Sequence, residues 1–302
     1  MTPVDVSDIK CLRPCQNVLG EGPLWDYRKG RLLWLDIKGG AVHVLELETD
    51  NHTIYKTNKV ISALGLSLKH DFVCVHKGGF AYLDLLEDET LAVTSILDPE
   101  ADKPTNRFND GKIAPDGSFW AGTMDAAEQF VSGVWWALTP SADQCSMIDS
   151  DYHVTNGPAF DPEDKRVYLT DSAAQIVYVA DWNAKRIENK RVFVEFKDGG
   201  GYPDGMTVDS EGALWIAFWD GACVRRFDRS GRMLQQVDFP VNRLTSLTFA
   251  GKRGYVTSAR VGLSSEDLAT WPLSGALFSF DVSRPLGKPE PIFGQNNLQR
   301  FE

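Results

Sequence analysis

The sequence predicts an all-β fold, a six-bladed β-propeller built from residues 1–302 as one domain. Three observations lead there. Long helical periodicity is scarce, and short runs rich in Val, Ile, Phe, Tyr and Trp are punctuated by Gly and Asp. One kind of run recurs every roughly 40 to 50 residues, the length of a four-stranded blade. A second strand with its own turn precedes every copy of that run.

The copies follow in order. Leu32-Leu33-Trp34-Leu35-Asp36 is the first, and Phe72-Val73-Cys74-Val75 is a weaker second. Phe119-Trp120-Ala121-Gly122-Thr123, Val167-Tyr168-Leu169-Thr170-Asp171, Leu214-Trp215-Ile216-Ala217 and Gly254-Tyr255-Val256-Thr257 complete six. The strands ahead of them, aligned on their last apolar residue, begin with Glu21, Leu64, Asn109, Asn156, Asp204 and Thr245. The first strand of a propeller blade lines the central channel, so these heads face one another across it. Residues 9–12 and 291–293 are also strand-like, and one terminus is expected to complete the other's blade, which removes open sheet edges. Residues 84–90 and 264–270 read as single helical turns in loop insertions.

Composition narrows the partners. With 43% apolar and 24% charged residues the chain can bury a large core. A net charge of −11 disfavours nucleic acid and anionic membrane. Residues 1–15 lack the regions of a secretory signal, and no run approaches the roughly 18 apolar residues of a membrane span. The five Cys form no CxxC pair, which reads as reduced thiols in a cytoplasmic protein. The five His show no HxH or HExxH spacing, so a His-based zinc site is not expected.

Four of the heads, Glu21, Asn109, Asn156 and Asp204, carry oxygen donors suited to a hard or borderline divalent cation in a central metal-binding channel. Taken singly, Asn-Gly and Asp-Gly are turn sequences, because Asn and Asp tolerate the left-handed region and Gly supplies it. Their shared place in a repeat is what favours a site. Arg107 is two residues before Asn109, which in a strand puts it on the same face. It reads either as an ordinary solvated Arg or as a forked donor to a polyol or carboxyl oxygen. The recurring Trp and Tyr are assigned to the core.

Gly20-Glu21-Gly22-Pro23, Arg107-Phe108-Asn109-Asp110-Gly111-Lys112, Ala121-Gly122-Thr123-Met124, Asn156-Gly157-Pro158 and Pro203-Asp204-Gly205-Met206 together resemble the SMP-30/gluconolactonase/regucalcin family. The resemblance runs from Glu21 to about Phe280. It implies a six-bladed propeller with one divalent metal (Ca²⁺, Zn²⁺, Mn²⁺ or Fe²⁺) and hydrolysis of sugar lactones. By that resemblance Glu21, Asn156 and Asp204 match metal ligands, and Arg107 and Asn109 match substrate contacts. Regucalcin-like members carry an acidic substrate contact where this chain has Ala127, which leaves the adjacent Glu128 as the candidate.

The expected activity is metal-dependent hydrolysis of an aldonolactone to the free sugar acid. The metal acts as a Lewis acid on the carbonyl, Asp204 as general base, and Arg107 and Asn109 orient the ring hydroxyls. An esterase or phosphotriesterase on the same channel and a non-catalytic calcium-binding propeller are the alternatives.

Overall fold

The computed structural model describes residues 1–183, 186–197 and 199–296. The chain starts with a short strand, β1 (Lys10–Arg13), and then lays down successive antiparallel meanders. The first is β2 (Gly20–Asp26), β3 (Arg31–Asp36), β4 (Ala41–Glu46) and β5 (His52–Lys56). The second is β6 (Ile61–Ser67), β7 (Phe72–His76), β8 (Gly79–Leu85) and β9 (Leu91–Leu97). The third is β10 (Asn106–Ile113), β11 (Phe119–Asp125), β12 (Gly133–Leu138) and β13 (Cys145–Tyr152). The fourth is β14 (Thr155–Asp161), β15 (Arg166–Asp171), β16 (Ile176–Asn183) and β17 (Arg186–Glu195). The fifth is β18 (Tyr202–Val208), β19 (Leu214–Trp219), β20 (Cys223–Phe227) and β21 (Met233–Asp238). The last contributes β22 (Leu244–Ala250), β23 (Arg253–Ser258) and β24 (Leu277–Asp281).

These are the six blades of a propeller. Their first strands touch in a closed ring, β2 to β6 to β10 to β14 to β18 to β22 and back to β2. Middle strands such as β3, β7 and β11 are buried at every residue or nearly so, since neighbouring sheets cover both faces. That double burial is why the recurring runs are apolar without alternation. Outer strands such as β17 are mostly exposed and polar. Among the described residues the core divides into six clusters, one at each seam between adjacent blades. Each Phe or Leu buried there contributes roughly 1.5–3 kcal/mol.

The ends close the ring as expected. β1 pairs with β24, with Cys11 opposite Phe278, and so supplies the sixth blade's outer strand. The C-terminal segment forms β25 (Ile292–Phe293), which lies parallel to β6. On its way it accepts a bond from Ser210 N to Leu286 O (2.9 Å) and donates from Gly294 N to Gly117 O (3.1 Å). This strap crosses the ends of the inner strands opposite the heads. Among the described residues no helix is long and apolar enough to cross a membrane.

Two local expectations change. Residues 264–270 do form a helix, α1 (Ser265–Thr270), with Ser264 in a capping box. Residues 84–90 do not. β8 runs through Leu85, Leu86 N bonds Thr90 O at 3.0 Å, and Glu89 at φ 61° closes a turn into β9. Its polar residues serve the turn, with Asp88 Oδ1 accepting from Thr90 N at 3.2 Å. Leu64 is not a channel head. Leu68, on which its strand was aligned, is 60% exposed beyond the end of β6, so the alignment slipped. Ser62, between the paired Ile61 and Ala63, holds the position equivalent to Asn109, and Leu64 is in the core opposite Cys74.

Candidate active site

Every inner strand breaks register near its start. The breaks fall between Glu21 and Leu24, Ile61 and Ala63, Phe108 and Asp110, Asn156 and Ala159, Pro203 and Met206, and Leu244 and Leu247. A bulge suspends strict alternation and re-aims side chains. Glu21 and Asn156 are the last paired residues before their breaks, opposite Leu35 and Thr170. Asp204 is one step later, inside its break. The expected common register is therefore corrected: an offset of one residue would turn a regular strand's side chain to the other face. Within bulges the three instead line one cavity of about 460 Å³. Gly22 (φ 53°) and Gly157 (φ 93°) follow Glu21 and Asn156 directly, in a backbone region that strains residues with a Cβ. Gly205 serves close approach, since a Cβ there would meet Ser246 Oγ at 2.3 Å.

Arg107, Asn109 and Glu128 line the same cavity, so it gathers all six predicted site residues. Glu128 belongs to no strand. It sits in the turn after β11 with φ 56°, and His153 Nε2 lies 2.9 Å from its carbonyl oxygen. Lys38, Ser172, Tyr202, Trp219 and Arg243 also line the cavity, and sequence reasoning missed them. Ser172 had a signal, because it directly follows the recurring run that ends at Asp171. Arg243 had none. It is held by Asp220 at 2.7 Å, with its guanidinium 4.7 Å from the Trp219 ring centre.

A directed chain of hydrogen bonds orients the polar side chains. Arg107 Nη1 donates to Asn109 Oδ1 (2.7 Å), and Asn109 Nδ2 donates to Thr155 O (2.7 Å) and Asn156 Oδ1 (3.1 Å). Asn156 Nδ2 then donates to Ser172 Oγ (2.8 Å), and Ser172 Oγ to Pro203 O (2.6 Å). The chain spans three blades and ends one residue from Asp204. Arg107 Nε and Nη2 make no hydrogen bond to a described residue, which leaves two donors for a ligand.

The carboxylates are in an unusual state. Burial, then the charges of Asp204 and Asp110, push Glu21 well above the ordinary carboxylate range. Burial, then Asp110, does the same to Asp204. Asp110, missed as a contributor by sequence reasoning, lies beneath them. It accepts from Gly111 N (2.7 Å) and Gly157 N (2.9 Å), and burial raises it to about 6. Burial pulls Arg107 down, against the Glu128 and Glu21 charges. Buried carboxylates that raise one another, beside an amide oxygen turned by Ser172, fit the charge and donor set of a divalent cation.

The profile of the SMP-30/Gluconolactonase/LRE-like region matches residues 19–260. The chain belongs to this family. The chain is 32% identical to regucalcin of Danio rerio over 278 residues, 89% of this chain and 92% of that one. It is also 32% identical to a 6-deoxy-6-sulfogluconolactonase of Pseudomonas putida over 294 residues, 94% of this chain and 98% of that one. The crystal structure of a calcium-binding protein, regucalcin, from Agrobacterium tumefaciens superposes with a TM-score of 0.87 at 26% identity. That match covers 94% of this chain and 96% of the other. The family's matched region thus starts two residues before Glu21 and takes in Arg107, Asn109, Glu128, Asn156 and Asp204.

Proposed function

We propose that this protein hydrolyses an aldonolactone to the free sugar acid, with a divalent cation held by Glu21, Asn156 and Asp204. The carrying observation is the cavity itself, about 460 Å³ with a floor of buried carboxylates and amides fixed by the Arg107-to-Pro203 hydrogen-bond chain. The lactonases among its relatives support the same reaction class.

The bound cation, Ca²⁺, Zn²⁺, Mn²⁺ or Fe²⁺, supplies Lewis acidity toward the lactone carbonyl. Asp204, a buried carboxylate lining the cavity, is the general base. A water oxygen bonds to the carbonyl carbon as its proton passes to the Asp204 carboxylate. The ring C–O bond then breaks, and that proton goes to the leaving ring oxygen. Arg107, with Nε and Nη2 free to donate, and Asn109 orient the ring hydroxyls. Glu128, at the exposed side of the cavity, takes the hydroxyl contact that Ala127 lacks. The polar floor favours a polyol over an aryl ester or phosphotriester. We read residues 1–302 as one domain, and five cysteines with no CxxC pair suit a cytoplasmic setting.

A pH-drop assay over a panel of five- and six-carbon aldonolactones, with metal-stripped protein reconstituted with each cation in turn, tests the reading. Turnover of at least one lactone that depends on added metal is expected. No turnover with any cation would overturn it.

A further inference from the structure

A second cluster of metal-binding side chains lies away from the channel, at the seam between the sixth and first blades. Cys15 Sγ and one ring nitrogen each of His43 and His52 lie within 4.8 Å of one another. The register explains the pairing. His52 on β5 is opposite Leu45, and Leu45 shares a face of β4 with His43. The rings meet with His43 Nδ1 3.0 Å from His52 Nε2. Trp34, opposite His43 across β3 and β4, stacks on both rings at 4.7 and 5.0 Å and fixes their planes. Cys15 arrives on the loop between β1 and β2. The apolar cluster here is the smallest of the six, Leu32, Trp34, Leu45, Tyr255 and Leu277, with Cys15 packed against it.

We propose that Cys15, His43 and His52 form a second metal site, selective for a zinc-class cation, that staples the N-terminal segment to the first blade where the ring closes. One thiolate and two imidazoles select Zn²⁺ over Ca²⁺, whereas the channel offers oxygen donors. Metal–ligand bonds of about 2.0–2.3 Å place ligand atoms roughly 3.3–3.6 Å apart. The His pair is already near that spacing, and Cys15 lies outside any strand, where no ladder holds its backbone. Metal binding releases the Cys15 Sγ proton to solvent. Arg13, the cation beside His52, is neutralised by its ion pair with Asp50.

Titration of the full chain with Co²⁺ tests this, because only a thiolate ligand gives the near-ultraviolet sulfur-to-cobalt absorption. Wild type is expected to develop that band to saturation at one equivalent of the site. Cys15→Ser should abolish it, and His52→Ala, at a partly exposed position, should weaken its Co²⁺ affinity more than about 10-fold. Asp204→Asn, in the channel, should leave the band intact. Absence of the band in wild type at excess Co²⁺, its persistence in Cys15→Ser, or its loss in Asp204→Asn would each overturn the proposal.

Discussion

Asn109 Nδ2 donates to Asn156 Oδ1 across 3.1 Å, and that bond ties the head of the third blade to the head of the fourth. It also fixes which way both amides point. Asn109 turns its oxygen to Arg107, and Asn156 turns its nitrogen to Ser172. The direction in which the Asn156 oxygen points therefore depends on Asn109 and Ser172 together.

Ser172→Ala removes the partner of Asn156 Nδ2 and leaves that amide held by Asn109 alone. Divalent-cation affinity in the channel is expected to fall about 10- to 100-fold, as for other outer partners of metal ligands. Calorimetric titration measures it, and an unchanged affinity would detach Ser172 from the site.

Arg107→Ala removes two free donors above the floor. Its kcat/KM for the preferred lactone should fall about 10- to 200-fold, the scale of one or two charge-assisted hydrogen bonds at roughly 1.5–3 kcal/mol. Metal affinity should change little, and aryl esters without ring hydroxyls should lose much less. Equal losses on both substrate classes would end the orienting role.

In metal-free protein the channel carboxyls should contribute less stability as pH rises. Asp110 is raised from its ordinary 3.8 to about 6, and Glu21 and Asp204 move the same way. Above the unfolded values the unfolded chain has lost protons that the folded chain still holds, so stability falls until the folded values are passed. Carboxyls shifted the other way, such as Glu211 at about 2, have finished titrating by about pH 5. His43, lowered to about 4, and His52 and His76, lowered too, work the other way in this window, so the readout is a difference: in chelator, the Tm of wild type relative to Asp204→Asn should fall from about pH 5 to 7. A divalent cation should restore Tm in wild type and not in that variant. A wild-type Tm that runs parallel to that of Asp204→Asn across this range would contradict the assignment.

Asp209→Ala should damage the fold and spare the chemistry. Asp209 Oδ2 accepts from Arg226 Nη2 (2.7 Å) and Trp215 Nε1 (2.9 Å), and both partners of the ion pair are fully buried. Arg226 keeps its pair with Glu211 (2.8 Å), so the loss is that of the buried charge-assisted hydrogen bonds to Asp209, roughly 1.5–3 kcal/mol. Urea unfolding should show that loss, with kcat per folded molecule nearly unchanged.

The sequence by itself determined the blades. Strands buried on both faces must be apolar throughout, so runs such as Leu32–Leu35 and Leu214–Ala217 announce themselves and their spacing counts the sheets. It also marked Glu21, Asn109, Asn156 and Asp204, because each is an oxygen-bearing residue at the head of a repeated strand, and Gly22 and Gly157 directly follow two of them with positive φ. Only the tertiary structure decided how those heads meet. The offset of Asp204 from Glu21 and Asn156 is absorbed by bulges that periodicity cannot see. Arg243 and Lys38 reach the cavity on loops, and Trp219 from the last position of β19, where no repeat predicts position. Cys15, His43 and His52 show no motif spacing, because their ligand atoms are brought together by a strand register and a ring closure rather than by neighbouring positions in the chain.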